Sequence, residues 1–216
     1  MMENSPTKRM LFIDFNGVIS YKPFWFSLKD PSHTLFKIGT AIENYLFKSN
    51  REIVKDWMFG KYTSEEVHHI LKENIQDEFD VEDLYKVFCE DCRNLDISKN
   101  ILNELKKLKN KYYLVLMTDN MDSFDRYTLP AHPELSEVFD EINNSYNVRC
   151  SKRDNDCEIF NRYIDRYDVC KSESIFLDDS QRNCDAFKEH IKGTPIHVSN
   201  EEDTLFALAK INTGGY

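Results

Sequence analysis

The stretch Met10-Leu11-Phe12-Ile13-Asp14-Phe15-Asn16-Gly17-Val18-Ile19 decides the fold of this chain. An unbroken apolar run, then a carboxylate, then a glycine, reads as a buried strand that delivers Asp14 to its carboxyl end and turns at Gly17. A buried carboxylate is costly unless it has a partner or a chemical task. Open α/β sheets bind their ligands at the carboxyl edge, so Asp14 is the first candidate site residue.

Working outward, residues 112–117, 174–177 and 195–198 form three more apolar runs of strand length. Residues 97–108 read as a helix feeding the second run. Helix-length amphipathic stretches separate the later runs. Residues 154–167 carry Cys157, Ile159, Phe160, Tyr163 and Ile164 at spacings of three and four, and residues 180–191 carry Cys184, Phe187 and Ile191 likewise. This alternation predicts the α/β class: a Rossmann-like parallel sheet with helices on both faces. A short apolar segment at 138–142 offers a further strand.

From Phe24 to about Leu95 the alternation stops and the pattern is helical throughout. The expected organisation is a core built from 1–23 and 95–216, with 24–94 inserted as a helical cap. Thr63-Ser64-Glu65-Glu66 ahead of Val67, Ile70 and Leu71 predicts a helix start. Phe24, Trp25, Phe26, Trp57, Met58 and Phe59 make the insertion aromatic, which suits either a bundle packed on itself or a lid over the site.

The 216 residues are enough for one core with an insertion. With 38 acidic and 28 basic side chains the net charge is −10, which argues against nucleic acid or an anionic membrane surface as partner. No apolar run approaches the roughly 20 residues that span a bilayer, and the opening Met1-Met2-Glu3-Asn4-Ser5-Pro6 has no apolar leader core, so a cytoplasmic protein is expected. The six cysteines are accordingly expected to be reduced thiols. Cys89 and Cys92 have the spacing of a metal pair, but no second pair follows to complete a four-ligand zinc site. Adjacent His68 and His69 would point to different sides of a helix, which predicts solvated or half-buried positions.

Three further segments carry chemistry at strand ends. Leu114-Val-Leu-Met-Thr118-Asp119-Asn120 ends an apolar strand in a hydroxyl. Asn144-Ser145-Tyr-Asn-Val-Arg-Cys-Ser-Lys152 places a lysine seven residues after a serine. Ser174-Ile-Phe-Leu-Asp178-Asp179-Ser-Gln-Arg-Asn183 sets two carboxylates directly after a buried strand. Such a pair repels itself unless a cation sits between it and Asp14, and a hard oxygen-ligated ion such as Mg²⁺ is the natural choice.

Together these segments and Asp14-Phe-Asn16-Gly17-Val18 resemble the motifs of the haloacid-dehalogenase-like (HAD) superfamily, mostly phosphatases and phosphotransferases. The resemblance runs from Met10 to Val198, and Phe59-Gly60-Lys61-Tyr62-Thr63-Ser64-Glu65-Glu66 looks like the family's small helical cap. It implies Asp14, Asn16 and Lys152 at the catalytic positions, with Asp14 as the nucleophile that forms an aspartyl phosphate. It further implies Thr118, Asp119, Asn120 and Lys152 around the phosphoryl group. Mg²⁺ would be held by Asp14, the main-chain carbonyl of Asn16, Asp178 and Asp179. The implied substrate is a small phosphorylated metabolite.

The chain departs from the family at two places. Asn16 stands where the family has a second Asp, the group that protonates the leaving oxygen and then deprotonates water; an amide does neither, so weakened turnover is expected. Lys152 is followed by Arg-Asp-Asn-Asp-Cys rather than Pro-Asp-Pro, which leaves Arg153 and Lys171 as alternative phosphate lysine substitutes. Three functions stay open: a Mg²⁺-dependent phosphatase or phosphotransferase, an impaired relative that binds a ligand or protein, and a haloacid-type dehalogenase. The paired Asp178 and Asp179 argue against the last. The Asn16-Gly17 step is also prone to deamidation, which would restore Asp.

Overall fold

The computed structural model describes residues 8–216; the first seven, on which most of the expectation of no leader rests, lie outside the described residues. Strands β1 (Arg9–Ile13), β2 (Tyr112–Thr118), β3 (Glu141–Asn144), β4 (Ile175–Asp178) and β5 (Thr194–His197) make one parallel sheet in the order β3-β2-β1-β4-β5. β1 is central, and Met10 through Ile13 are fully buried, which is why this strand reads as a continuous apolar run rather than an alternating one. Ile13 lies beside Leu116 on β2 and Leu177 on β4, so the residues that follow all three strands arrive at one edge. The Asp14 N–H donates to Leu177 O at 2.9 Å, carrying the ladder one residue further.

The two faces divide the strand residues by parity. Leu11, Ile13, Leu114, Leu116, Ile175 and Leu177 share a core with helix Lys99–Leu108 and helix Glu201–Asn212. Met10, Phe12, Val115, Met117 and Phe176 pack on helix Glu158–Arg166 and the helical turn Phe187–Ile191. Phe160 meets Phe12 edge-on at 4.8 Å and Phe187 at 4.9 Å. Each such buried ring is worth about 1.5–3 kcal/mol against exposure.

Boundaries differ from the expected ones for local reasons. The helix begins at Glu158, not 154, because Asn155, Asp156 and Cys157 take φ of 49°, 56° and 62°, a left-handed turn that buries Cys157 before the helix starts. The apolar spacing across 154–167 therefore overstated the helix by four residues at its start and one at its end. Val138 closes a short helix, Pro133–Val138, so β3 starts only at Glu141.

Between β1 and β2 lie helices α1 (Phe36–Ile42), α2 (Arg51–Met58), α3 (Ser64–Asn74) and α4 (Val81–Arg93). α3 opens where expected: Thr63 and Glu66 cap each other reciprocally. Trp25, Trp57 and Phe88 form the centre of this region, with Trp25 and Phe88 ring centroids 4.7 Å apart. His68 corrects the expectation of a solvated or half-buried position, since it is 1% exposed under Trp25, Tyr85 and Phe88, while His69 is exposed. Burial pushes the His68 imidazole down to about 4, so it is neutral, with Nδ1 2.6 Å from Ser64 O.

The helical region is tied to the sheet through Asp122, just beyond β2. Its carboxylate accepts from Trp57 Nε1 at 2.8 Å, Ser64 Oγ at 2.6 Å, Ser64 N at 3.1 Å and Arg126 at 2.7 Å. Arg126 also holds Glu65 at 2.6 Å. Among the described residues no helix is long and apolar enough to cross a membrane. All six cysteines are free, and all but Cys170 are buried.

Candidate active site

Lys152 is the hub of the candidate site. Its ammonium group, 3% exposed, lies 2.6 Å from Asp14 Oδ1 and 2.7 Å from Asp178 Oδ2. It reaches this point because the one-turn helix Ser145–Val148 ends at Arg149 with a left-handed φ of 53°, and the chain then turns back toward the sheet edge. Asp119 Oδ1 accepts the Lys152 N–H at 3.2 Å and fixes that return. Arg153 is exposed, and Lys171 lies in the exposed turn Lys171–Glu173; the cation in contact with Asp14 is Lys152.

Each carboxylate has its own support. The Phe15 N–H donates to Asp14 Oδ1 at 2.7 Å. Asp178, fully buried, accepts from the Ser180 N–H at 2.8 Å and from Asn183 Nδ2 at 3.0 and 3.1 Å. Asp179 is exposed at the rim, and the turn beneath it requires Gly17: at φ 76° a side chain is strained, and a Cβ there would overlap the Asp179 carboxylate. The Gly17 N–H donates to Ser20 O at 2.7 Å, closing that turn.

Thr118, at the end of β2, and Asn120, in the loop after it, are buried. The Asn120 N–H donates to Ser145 Oγ at 3.0 Å, and Ser145 Oγ donates to Met58 O at 2.9 Å, so one hydroxyl joins the β2 loop to α2. Asn120 spends its side chain locally, with Oδ1 accepting the Met121 N–H at 2.9 Å and Nδ2 3.4 Å from Thr118 Oγ1. Sequence reasoning missed two participants, Asn183 and the double role of Ser145. Asn183 stood in the quoted segment, and its place one turn after Asp178 on helix Gln181–Ala186 was the available signal.

The electrostatics leave the site short of positive charge. Asp14, Asp178 and Asp179 bring one oxygen each within 4.8 Å of one another, and among the described residues Lys152 is the one cation paired with them, bridging Asp14 and Asp178. Burial raises the Asp14 carboxyl well above the usual carboxylate range, because it and the nearby Asp178 charge outweigh Lys152. Burial also raises Asp179, with Asp178 adding to the effect, and raises Asp119 despite Lys152. Burial works against the Lys152 charge, yet Asp14, Asp178 and Asp119 together lift its pKa above the ordinary lysine value. Three carboxylates against one ammonium form an oxygen-donor set that suits a hard divalent cation. Beside the cluster, a cavity of about 630 Å³ runs from Asn16, Gly17 and Asp179 into the aromatic helical region.

No protein-family profile and no curated protein sequence matches the chain. Solved structures do. A HAD family enzyme of Bacteroides thetaiotaomicron, in complex with magnesium and inorganic phosphate, superposes with a TM-score of 0.68 at 20% identity, over 90% of this chain and 96% of that one. A predicted HAD-like family hydrolase of Porphyromonas gingivalis gives 0.71 at 20% identity over 95% and 98%. A dehalogenase gives 0.62 at 14% identity over 89% and 85%. The five-stranded parallel sheet with helices on both faces, and these superpositions over nine-tenths of the chain, establish that the protein has the fold of the haloacid-dehalogenase-like superfamily.

Proposed function

We propose that the protein is a Mg²⁺-dependent HAD-type hydrolase that removes phosphate from a small phosphorylated metabolite through an aspartyl phosphate on Asp14. The observation that carries this reading is the buried Asp14–Lys152–Asp178 cluster with Asp179 at its rim. Asp14, Asp178, Asp179 and the main-chain carbonyl of Asn16 would hold the metal, and the complex of the Bacteroides relative with magnesium and phosphate supports that assignment. Bound there, Mg²⁺ would neutralise charge on the phosphoryl oxygens.

Asp14 Oδ1 is engaged by the Phe15 N–H and by Lys152, so Oδ2 is the oxygen assigned to attack phosphorus. The Lys152 ammonium, paired with Asp14, would neutralise the transferring group, and Thr118 and Asn120 are assigned to its oxygens. Asn16 has no proton to give the leaving oxygen. That absence lowers the rate by about 10²–10⁴ relative to a carboxylic acid, and least for good leaving groups. Attack on a carbon–halogen bond would proceed against the excess negative charge of Asp178 and Asp179, so the dehalogenase reading is the weaker one. A cytoplasmic setting without nucleic-acid or membrane partners agrees with the net charge and the free cysteines.

Asn16 also favours a second reading, a relative that binds phosphorylated ligands with little turnover. Phosphate release from an aryl and an alkyl phosphate, with Mg²⁺ and with chelator, separates the two. The hydrolase reading predicts metal-dependent release by the native chain and a larger gain on the alkyl ester for Asn16→Asp. Activity confined to Asn16→Asp would instead mark a silenced scaffold with a binding role.

A further inference from the structure

We infer that the cavity reaching from Asn16 and Asp179 into the helical region receives an aromatic ring, making the substrate an aryl phosphate monoester; the inference rests on the phosphatase reading and deepens it. Its volume of about 630 Å³ falls within the usual range for small-molecule pockets and holds a one- or two-ring body. Phe24, Trp25, Phe36 and Phe47 line it, offering ring faces and edges at which another ring packs favourably.

Two lining residues carry unused hydrogen-bonding groups. Ser20 Oγ and Trp25 Nε1 are buried with no partner among the described residues. Trp25 is also held at a left-handed φ of 51°, which few non-glycine residues adopt. Lys22 and Lys29 line the same cavity and balance the carboxylates of Glu43 and Asp179.

The chemistry at Asn16 points the same way from an independent direction. Without an acid at this position the leaving oxygen departs unprotonated. A phenolate, the base of an acid with pKa of about 10, does so far more readily than an alkoxide. In the first step the bond from Asp14 Oδ2 to phosphorus forms, and the phosphorus–oxygen bond to the aryl group breaks. The electron pair leaves on the phenolate, which takes its proton from water. In the second step water attacks phosphorus and returns the electron pair to the Asp14 carboxylate, giving inorganic phosphate and releasing a proton to solvent.

The test is calorimetric binding, with Mg²⁺ present, of inorganic phosphate, methylphosphonate and phenylphosphonate. The native chain is compared with Thr40→Trp, which fills the cavity from an exposed lining position, and Phe36→Ala, which removes a lining ring that is 37% exposed. Phenylphosphonate should bind the native chain about tenfold or more tighter than methylphosphonate, the gain from burying one ring. Both substitutions should cut that preference while phosphate binding persists. Phosphate binding without a phenyl preference, or a preference that survives both substitutions, overturns the aryl inference and leaves the phosphatase reading standing. Failure of phosphate itself to bind the native chain overturns the phosphatase reading and the inference with it.

Discussion

Replacing Lys152 by Met keeps most of the side-chain volume and removes the one ammonium that Asp14 and Asp178 share. At 2.6 and 2.7 Å, with all three groups under a tenth exposed, neither carboxylate has water enough to substitute for it. Removing one partner of a buried ionic cluster typically destabilises by about 3–5 kcal/mol, a large share of the ~5–15 kcal/mol that holds a domain together. At about 2–4 °C per kcal/mol for a chain of this size, the expected fall in Tm is roughly 6–20 °C.

The loss carries a pH signature. Burial already raises Asp14 above its ordinary value, and losing Lys152 raises it further. A carboxyl whose folded pKa exceeds its unfolded value of about 3.9 binds a proton more tightly when folded, so stability falls as pH rises through that interval and returns on acidification. Thermal unfolding of native and Lys152→Met chains in chelator at pH 5 and pH 7 is the assay. The gap between them should be widest at pH 7 and should narrow at pH 5. A loss below about 1 kcal/mol at pH 7, or a gap that does not narrow, would refute a shared buried ammonium.

Other consequences follow from the same geometry. Because Asp14 and Asp179 are both raised by burial and ionise late, Mg²⁺ should raise Tm more at pH 8 than at pH 5; equal shifts would contradict an ionised carboxylate cluster as the metal site. Ser64→Ala removes the fully buried hydroxyl donating to Asp122 at 2.6 Å and should cost about 1.5–3 kcal/mol in urea unfolding, with a negligible loss contradicting Asp122 as the tie between helices and sheet. The Gly17 N–H that would attack the Asn16 amide is bonded to Ser20 O at 2.7 Å, so peptide mass on aged folded protein should show Asn16 intact. Deamidation as fast as in the unfolded chain would show that this turn opens freely.

The core sheet was legible because burial on both faces writes a strand as an unbroken apolar run, as in Met10 to Ile13. Asp14, Asp178 and Asp179 were legible because carboxylates directly after such runs have few structural uses. What could not be read was pairing across long stretches of chain. Asp122 meets Trp57 and Ser64 across 65 and 58 residues, and nothing local to Asp122 announces either partner. The choice among Lys152, Arg153 and Lys171 depended on the left-handed residue at Arg149, which has no composition signal. His68 failed for a related reason: helical periodicity gives its face, but only the packing of Trp25 and Phe88 shows how deeply that face is covered.

The most direct test of the account is phosphate release from an aryl phosphate in Mg²⁺ by the native chain and by Asp14→Ala. The account predicts metal-dependent release by the native protein that falls to background when Asp14 is lost. Release by Asp14→Ala at the native rate would contradict Asp14 as the nucleophile, and with it the proposed function.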